Sequence, residues 1–303
     1  MTAWTQRYRP KLLKGIVGQD VIVGKVKKLL QKPEEFPHLL FYSSESGTGK
    51  STLALIIASK LMGGLSVPNA DCMIYNTSKM KIDDLREELN DFASHKPSTL
   101  ISKHSFPKRI AILEEIDYLA TANQAFLRRL VEVLESNCVF IATCNDLSRV
   151  SKPLISRFGG GMQFRSLPND IIIEKLQKIA KKEKVKVPPK SLENIALECA
   201  GDLRLGISLL QQKSGDEAGL QKEEKNLVKL YQVVNGAFSG KQTAMGDFRT
   251  LQKEGTITIW QLRKYVYSVA MSRKRYDLLP LLNKEAVDSD IACAELIWGV
   301  IRK

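Results

Sequence analysis

The chain has 303 residues, of which 44% are hydrophobic and 26% are charged, as in an ordinary globular protein with room for two or three domains. Its 46 lysines and arginines outnumber 33 acidic residues and give a net charge of +13. An excess of this size favours a polyanionic partner, most often nucleic acid. Solubility through self-repulsion is the alternative explanation.

The apolar runs are far shorter than the ~18 residues of a membrane span, and the first ten residues lack the apolar segment of a secretion signal. The five cysteines show neither metal-ligand spacing nor a disulfide pattern, which favours a reducing compartment. We therefore expect a soluble, intracellular protein without a membrane partner. Its compartment would be the cytoplasm (that of the host for a viral protein) or the nucleus in a eukaryote.

Short apolar runs alternate with helical patterns up to about residue 167. Strands are predicted at HLLFYSS (residues 38–44) and at four later runs, CMIYNTS, RIAILEE, CVFIATCN and GMQFRSL. The helices predicted between them are KSTLALIIASKL, IDDLREELNDFAS, NQAFLRRLVEVLES and KPLISRF. Because the strands are apolar on both faces, the sequence predicts an α/β fold with a parallel sheet and helices on each side.

Only helical periodicity follows Pro168, in the stretches IIIEKLQKIAKKEK, PKSLENIALECA and LRLGISLLQQ. The polar run KSGDEAGLQKEEK (residues 213–225) is typical of a linker or a frayed helix junction, and helical patterning resumes at about Leu227. Three domains are predicted, at residues 1–167, 168–222 and 223–303. The last is too short to bury its large aromatic residues alone, which predicts an oligomerisation surface that includes Trp260, Tyr265, Tyr267 and Trp298.

The stretch SSESGTGKST (residues 43–52) has the pattern of a phosphate-binding loop between a strand and a helix. Gly47 and Gly49 permit a tight turn, Lys50 neutralises phosphate charge, and Ser51 is suited to coordinate Mg²⁺. Ser44 stands where such loops usually begin with glycine, and a small residue there keeps most of the geometry. The predicted nucleotide-binding residues are Ser46, Gly47, Thr48, Gly49, Lys50, Ser51 and Thr52.

Acidic residues end the apolar run RIAILEEID, as a nucleotide hydrolase requires on a neighbouring strand. Glu114 is predicted to hold Mg²⁺, and Glu115 to polarise the attacking water. Most such sites have aspartate first, so the longer Glu114 is expected to weaken Mg²⁺ placement and slow turnover. Charges that merely cap a strand end are the alternative.

These motifs resemble the AAA+ clamp loaders, and within them the small subunits, namely replication factor C small subunits and their phage counterparts. The resemblance covers residues 4–212. It implies a AAA+ P-loop ATPase core followed by a helical lid (residues 168–222) and a helical oligomerisation collar (residues 223–303). The stretch YRPKLLKGIVGQ resembles the adenine-pocket segment of the family, which assigns contact with the base to Tyr8, Arg9, Pro10, Val17 and Gly18.

Three further motifs supply residues that act on the outer phosphate in the family. IATCND ends with Asn145 at the position that orients water, and GDLRLGISLLQ places Arg204 on the lid. PLISRF keeps Arg157 while Phe158 replaces the usual cysteine. Because Arg157 belongs to a short helix on the far side of the predicted sheet from the loop, it is expected to serve a neighbour's γ-phosphate in trans. A surface ion pair is the alternative for Arg157, and helix capping or packing for Arg204.

Lys79 and Lys81 precede a predicted helix, where their charge opposes the helix macrodipole unless a phosphate binds. In the resembled family this region tracks the DNA backbone, and a solvated surface is the alternative. Gln124 matches a glutamine that links DNA contact to the ATP site. Arg128, four residues later, is expected to belong to that linkage or to a subunit interface.

The run SHKPSTLISKHSF (residues 94–106) is longer than a minimal connection and carries Leu100, Ile101 and Phe106. In the family this area meets the sliding clamp, which would explain apolar side chains held outward. Folding back onto the core is the alternative.

The resemblance implies an ATPase subunit of a sliding-clamp loader, which uses ATP and Mg²⁺ to open the clamp and load it on primer–template DNA. The expected assembly is a hetero-pentamer with several copies of this chain and other loader subunits. One alternative is a different AAA+ DNA motor, either a branch-migration helicase or a replication initiator; the helical tail argues against the winged helix of an initiator. Another is a scaffold that binds ATP without hydrolysis, which Ser44 and Glu114 leave open.

Overall fold

A computed structural model describes residues 3–97, 104–215, 222–239 and 243–253, together with Leu262, Val266 and Val269. These residues fall into two compact units. One is Pro10–Ser166, and the other consists of the described residues of Met1–Arg9 and Leu167–Lys303.

The unit Pro10–Ser166 is built on a five-stranded sheet. The strands are β1 (Leu39–Tyr42), β2 (Cys72–Asn76), β3 (Arg109–Glu114), β4 (Cys138–Cys144) and β5 (Met162–Gln163). They lie in the order β2-β3-β4-β1-β5, and every neighbouring pair is parallel. Ile141 of β4 stands beside Leu39 on one side and Ile112 on the other, so β4 is central. The predicted parallel sheet is confirmed.

The described helices follow the predicted order from residue 50 onward, and the two before residue 30 were not predicted. They are α1 (Trp4–Arg7), α2 (Asp20–Leu29), α3 (Lys50–Leu61), α4 (Ile82–Ser94), α5 (Thr121–Val133), α6 (Lys152–Arg157), α7 (Asn169–Lys182), α8 (Pro189–Cys199), α9 (Leu203–Lys213), α10 (Lys222–Phe238) and α11 (Ala244–Lys253). None of those in the described part of the chain has the length and apolar character to cross a membrane.

The two faces of the sheet are each buried by a separate layer of helices. Alternate residues of β4 point to opposite faces: Ile141 packs in a cluster with α2 and α3, and Phe140 in another with α4 and α5. Every residue of β4 is buried. The strand therefore reads as one continuous apolar run, because neither of its faces meets water.

Phe106 packs in the same cluster as Ile110 and α3 and is 4% exposed. The expectation that it is held outward for clamp contact is wrong. Two residues earlier, the His104 imidazole Nε2 lies 3.2 Å from Asp71 Oδ2, with both side chains buried. This contact holds the end of the connection against Asp71, which directly precedes β2, and Phe106 follows it into the core.

The other unit contains α1 and the helices from α7 onward. Helix α10 begins at Lys222, five residues before the position at which the sequence pattern resumes.

Candidate nucleotide site

The loop between β1 and α3 has the backbone of a phosphate-binding loop. Gly47 (φ 65°) and Gly49 (φ 106°) both lie in the region that side chains disfavour. Gly49 is also the N-cap of α3, and no side chain caps the helix there. The first N–H groups of a 12-residue helix therefore face the loop, where an anion is favoured.

The backbone at position 44 does not require glycine, so Ser44 fits there. Its side chain is exposed, and its φ is not among the positive values of the chain. The backbone there is one that any residue adopts, which explains why the loop keeps its shape without the usual first glycine.

Lys50 is the first residue of α3 and is 9% exposed. Its ammonium Nζ donates to the carbonyl oxygens of Glu45 at 2.8 Å and Ser43 at 3.3 Å. The loop thus wraps around its own lysine. The positive charge stands inside the concave backbone, where phosphate oxygens can replace the carbonyls.

The carboxyl ends of β3 and β4 supply the polar groups beside this loop. Glu114 ends β3, Asn145 follows β4, and β4 is the neighbour of β1. Because parallel strands end at the same edge of a sheet, the structure brings the loop, both glutamates and Asn145 to one edge. Glu114, Ser51 and Asn145 are all partly exposed there.

Glu115 has a left-handed backbone, with φ 62° and ψ 44°, which is rare for a residue other than glycine, asparagine or aspartate. Its amide N–H donates to Thr143 Oγ1 at 3.3 Å, and its carbonyl accepts from Thr77 Oγ1 at 2.8 Å. Thr143 of β4 and Thr77, the residue after β2, therefore hold Glu115 in an uncommon conformation. Such over-determined strain is typical of functional positions.

Sequence reasoning missed two residues that position this edge. The Ser78 hydroxyl lies 2.5 Å from Glu115 Oε2 and 2.7 Å from Asn76 Oδ1, so its single proton is shared between the two acceptors. Asp117 is 4% exposed, and its Oδ2 accepts from the amides of Asn145 and Asp146 at 3.2 and 3.1 Å. The predicted run of acids contained Asp117, but nothing in the pattern showed which strand end it braces.

The oxygen donors at this edge suit Mg²⁺. In the described residues, three or more histidine, cysteine or acidic side chains do not gather into a cluster able to hold a metal alone. The hydroxyl of Ser51 and the carboxylate of Glu114 are hard oxygen ligands. Mg²⁺ keeps water and substrate phosphates as its remaining ligands, so a site with so few protein donors fits this ion.

Arg157 ends α6, and its guanidinium lies 2.7 Å from Glu132 of α5, with the two side chains 46% and 53% exposed. The ring of the next residue, Phe158, lies 6.3 Å from the ring of His38, which directly precedes β1. Arg157 is therefore near the amino end of β1, at the opposite end of that strand from the phosphate loop. The surface ion pair is present, but so exposed a pair contributes little stability and exchanges readily.

Gln124 is 3% exposed and fully hydrogen-bonded. Its Nε2 donates to the carbonyls of Leu119 at 2.9 Å and Arg149 at 2.8 Å, and its Oε1 accepts from the Ser151 amide at 2.7 Å. The side chain thus fastens α5 to the segment that leads into α6 and Arg157. Arg128 is exposed on the same helix.

The predicted DNA-contact residues lie at the start of α4. Lys79 and Lys81 are exposed, and Lys81 is the N-cap of that helix without a side-chain cap. Leu100 and Ile101, the other candidates for clamp contact, lie outside the described residues.

The segment matched to adenine binding is divided between the two units. Pro10, Val17 and Gly18 belong to the sheet unit, where Gly18 has φ 69°. The side chain of neighbouring Gln19 donates from Nε2 to the Arg165 carbonyl at 2.8 Å and accepts at Oε1 from the Arg165 amide at 3.1 Å. Two further residues of the segment and the lid arginine belong to the helical unit, namely Tyr8, Arg9 and Arg204. Arg204 is exposed on the first turn of α9.

The sequence matches two family models. The model of the AAA family, ATPases associated with various cellular activities, matches residues 39–166, and that of the RCF1/5-like AAA+ ATPase lid domain matches residues 174–213. Replication factor C small subunit of Thermoplasma acidophilum is 33% identical over 284 residues, which cover 90% of this chain and 86% of the relative. The same subunit of Picrophilus torridus is 34% identical, covering 80% and 76%. The chain belongs to the replication factor C small subunit family.

It is thus a AAA+ clamp-loader subunit, and an ATP hydrolase by class. Among solved structures, Thermotoga maritima RuvB, a Holliday junction branch migration motor, matches with a TM-score of 0.55 over 88% of this chain and 91% of that chain. At 18% identity this likeness shows only the shared AAA+ fold. The resemblance read from ordered motifs and the predicted fold class are both confirmed.

Proposed function

We propose that this replication factor C small subunit hydrolyses ATP with Mg²⁺ to open a sliding clamp and load it on primer–template DNA. The observation that carries the proposal is the single edge of the sheet that brings together Lys50, Glu115 and Asn145. Membership of the replication factor C small subunit family supports a clamp loader as the assembly in which this site works.

Each residue of the edge has a task set by its position. Lys50 and the loop amides exchange their carbonyl and solvent partners for the β- and γ-phosphates. Glu115 accepts a hydrogen bond from the attacking water and polarises it, and Asn145 orients that water. Ser51 and Glu114 would hold Mg²⁺, which when bound neutralises charge on the phosphate oxygens.

Two arginines complete the proposed mechanism from other elements. Arg157 leaves its exposed pair with Glu132 and acts on the γ-phosphate of a neighbouring subunit, since its own loop is at the opposite end of β1. Arg204 ties the lid to the γ-phosphate of its own nucleotide. The base is held by the segment that includes Tyr8, Arg9, Pro10, Val17 and Gly18.

Contact with DNA would reach the site through α4 and α5. Lys79 and Lys81 bind phosphates of the DNA backbone. Gln124 then transmits the resulting movement of the helices to the segment before Arg157. Arg128 lies at the subunit interface. Residues 223–303 form the oligomerisation collar of a hetero-pentamer with several copies of this chain.

The test is the ATPase rate of the reconstituted loader with clamp, with primed DNA, with both and with neither. We expect strong stimulation only when both are present. Lys81→Ala should blunt stimulation by DNA without changing the basal rate, and should flatten the logarithmic salt dependence by about 0.9, the contribution of one phosphate contact. Lys27→Ala, an exposed lysine of α2, is the matched control. A rate that ignores both clamp and DNA would contradict the proposal.

A further inference from the structure

The segment before Pro10 is held at two points by the helical unit. At its apolar end Trp4 is 2% exposed, and its amide donates to Oε1 of Gln211 in α9 at 2.8 Å. Gln211 is itself fully buried. This buried hydrogen bond joins residues 207 positions apart in the sequence. It holds Trp4 against α9 and so keeps the segment from fraying.

The polar end of the segment is fixed by one carboxylate oxygen. Glu183, directly after α7, accepts from the Tyr8 hydroxyl at 2.7 Å and from the Arg7 guanidinium at 2.7 Å, both at Oε1. The ammonium of Lys182 lies 5.8 Å from the centre of the Tyr8 ring. The Glu183 side chain is only 18% exposed, so this cluster is shielded more than an ordinary surface pair.

The charge states of the cluster favour the bond at neutral pH. The hydrogen bond from Tyr8 holds the pKa of Glu183 below its usual range. Burial, and next the bond to Glu183, raise the pKa of Tyr8 to about 12. The phenol therefore remains a donor and the carboxylate a charged acceptor, and charge-assisted bonds of this kind are stronger than neutral ones.

We infer that Glu183 is a positioning residue for nucleotide binding: it holds Tyr8 in the conformation that the base requires. This inference rests on the proposed assignment of the segment to the base. Pro10, whose φ is fixed by its ring, follows Tyr8 by two residues and begins the other unit. Tyr8 is thus held by Glu183 before any nucleotide binds, which reduces the ordering cost of binding.

The test compares two ligands in the full chain by titration calorimetry with Mg²⁺. ATP carries the base, whereas inorganic tripolyphosphate engages only the phosphate loop. Glu183→Ala and Tyr8→Phe should each weaken ATP binding about three- to tenfold, the range of one hydrogen bond to a charged or neutral partner, and leave tripolyphosphate affinity unchanged. Glu183→Gln keeps an acceptor oxygen, so its loss should be smaller.

Glu174→Gln is the matched control, because Glu174 lies on α7, is exposed and pairs only locally with Lys178. It should change neither affinity. Unchanged ATP affinity in folded Glu183→Ala and Tyr8→Phe proteins would overturn the inference, as would an equal loss for both ligands or a lowered melting temperature alone. Wild-type protein that binds tripolyphosphate and ATP equally well would overturn the base assignment itself, and the inference with it.

Discussion

The two edges of the parallel sheet are made from the same strands and differ in almost everything else. The carboxyl edge carries two positive-φ glycines, a left-handed Glu115 and a lysine enclosed by carbonyls. The amino edge carries an aromatic cluster, in which the ring of His38 lies 5.4 Å from Phe140 and 6.3 Å from Phe158. Beside that cluster stands Arg157, exposed at the end of α6.

Strained backbone is thus concentrated at the carboxyl edge of the sheet, and aromatic packing at its amino edge. Strained backbone and converging donors mark the edge of the proposed phosphate site, whereas the opposite edge has ring contacts and the exposed Arg157. The four residues of β1 span about 13 Å, which is longer than an arginine side chain. Arg157 therefore cannot reach from the amino edge of the sheet to the phosphate loop. This separation is the reason that the role proposed for Arg157 is at a neighbour's nucleotide rather than at the Lys50 of its own chain.

The largest expected effect is on turnover at the carboxyl edge. Glu115→Gln should lower the hydrolysis rate by about 10²- to 10⁴-fold, because an amide cannot polarise water as a carboxylate does. ATP affinity should be retained, so ATP accumulates on the protein. Glu114→Asp is the comparison, since it restores the usual reach to Mg²⁺ and should keep or raise the rate. Normal turnover in Glu115→Gln would remove that residue from the mechanism.

Loss of the enclosed lysine should affect binding more than any other change in the loop. We expect Lys50→Ala to weaken ATP by about 100-fold or more, since two or more charge-assisted bonds to phosphate disappear. Lys60→Ala, an exposed lysine in the last turn of the same helix, controls for net charge. Equal affinity of the two variants would show that the loop does not hold phosphate.

The amino edge should respond to pH through stability alone. Burial lowers the pKa of His38 to about 4, and its Nδ1 must be unprotonated to accept from the Phe140 amide. Below an unfolded pKa of about 6.5 only the unfolded chain takes up this proton, so stability is complete above that pH and falls toward pH 4. At pH 5 the loss should reach up to about 2 kcal/mol.

Urea unfolding at pH 7.5 and pH 5 measures this loss. The loss of unfolding free energy between the two pH values should be smaller in His38→Gln than in wild type. In His95→Gln the loss should equal that of wild type, because the His95 imidazole is exposed. Equal losses in wild type and His38→Gln would show that the aromatic cluster does not depend on a neutral imidazole.

The smallest effect expected is at Ser78. Removing its hydroxyl in Ser78→Ala frees the Glu115 carboxylate from one hydrogen bond and should raise basal turnover about two- to fivefold. Ser94→Ala, at the end of α4, is a control for loss of a surface hydroxyl. A lower rate would mean that Ser78 aligns Glu115 rather than restrains it.

Sequence patterns located the elements well where the signal is local. Helices α3 and α4 begin and end with the predicted stretches, because apolar spacing and the glycine loop act over a few residues. Ser78 and Glu183 were missed because their partners are 37 and 175 residues away, and pairing at such a distance leaves no periodic signal. The contact between His104 and Asp71, two residues before the buried Phe106, likewise joins positions 33 residues apart.

Mixing two inactive variants tests most directly whether the two edges act in different sites. Arg157→Ala lacks the amino-edge arginine but keeps its loop, and Lys50→Ala lacks the loop lysine but keeps the arginine. If Arg157 serves a neighbour, co-assembled variants should regain ATPase activity wherever an intact loop faces an intact arginine. Arginines supplied across an interface are worth about 10³–10⁵ in rate, although a loader with several sites would show a smaller net change. Co-assembly confirmed by size with no recovered activity would contradict the account.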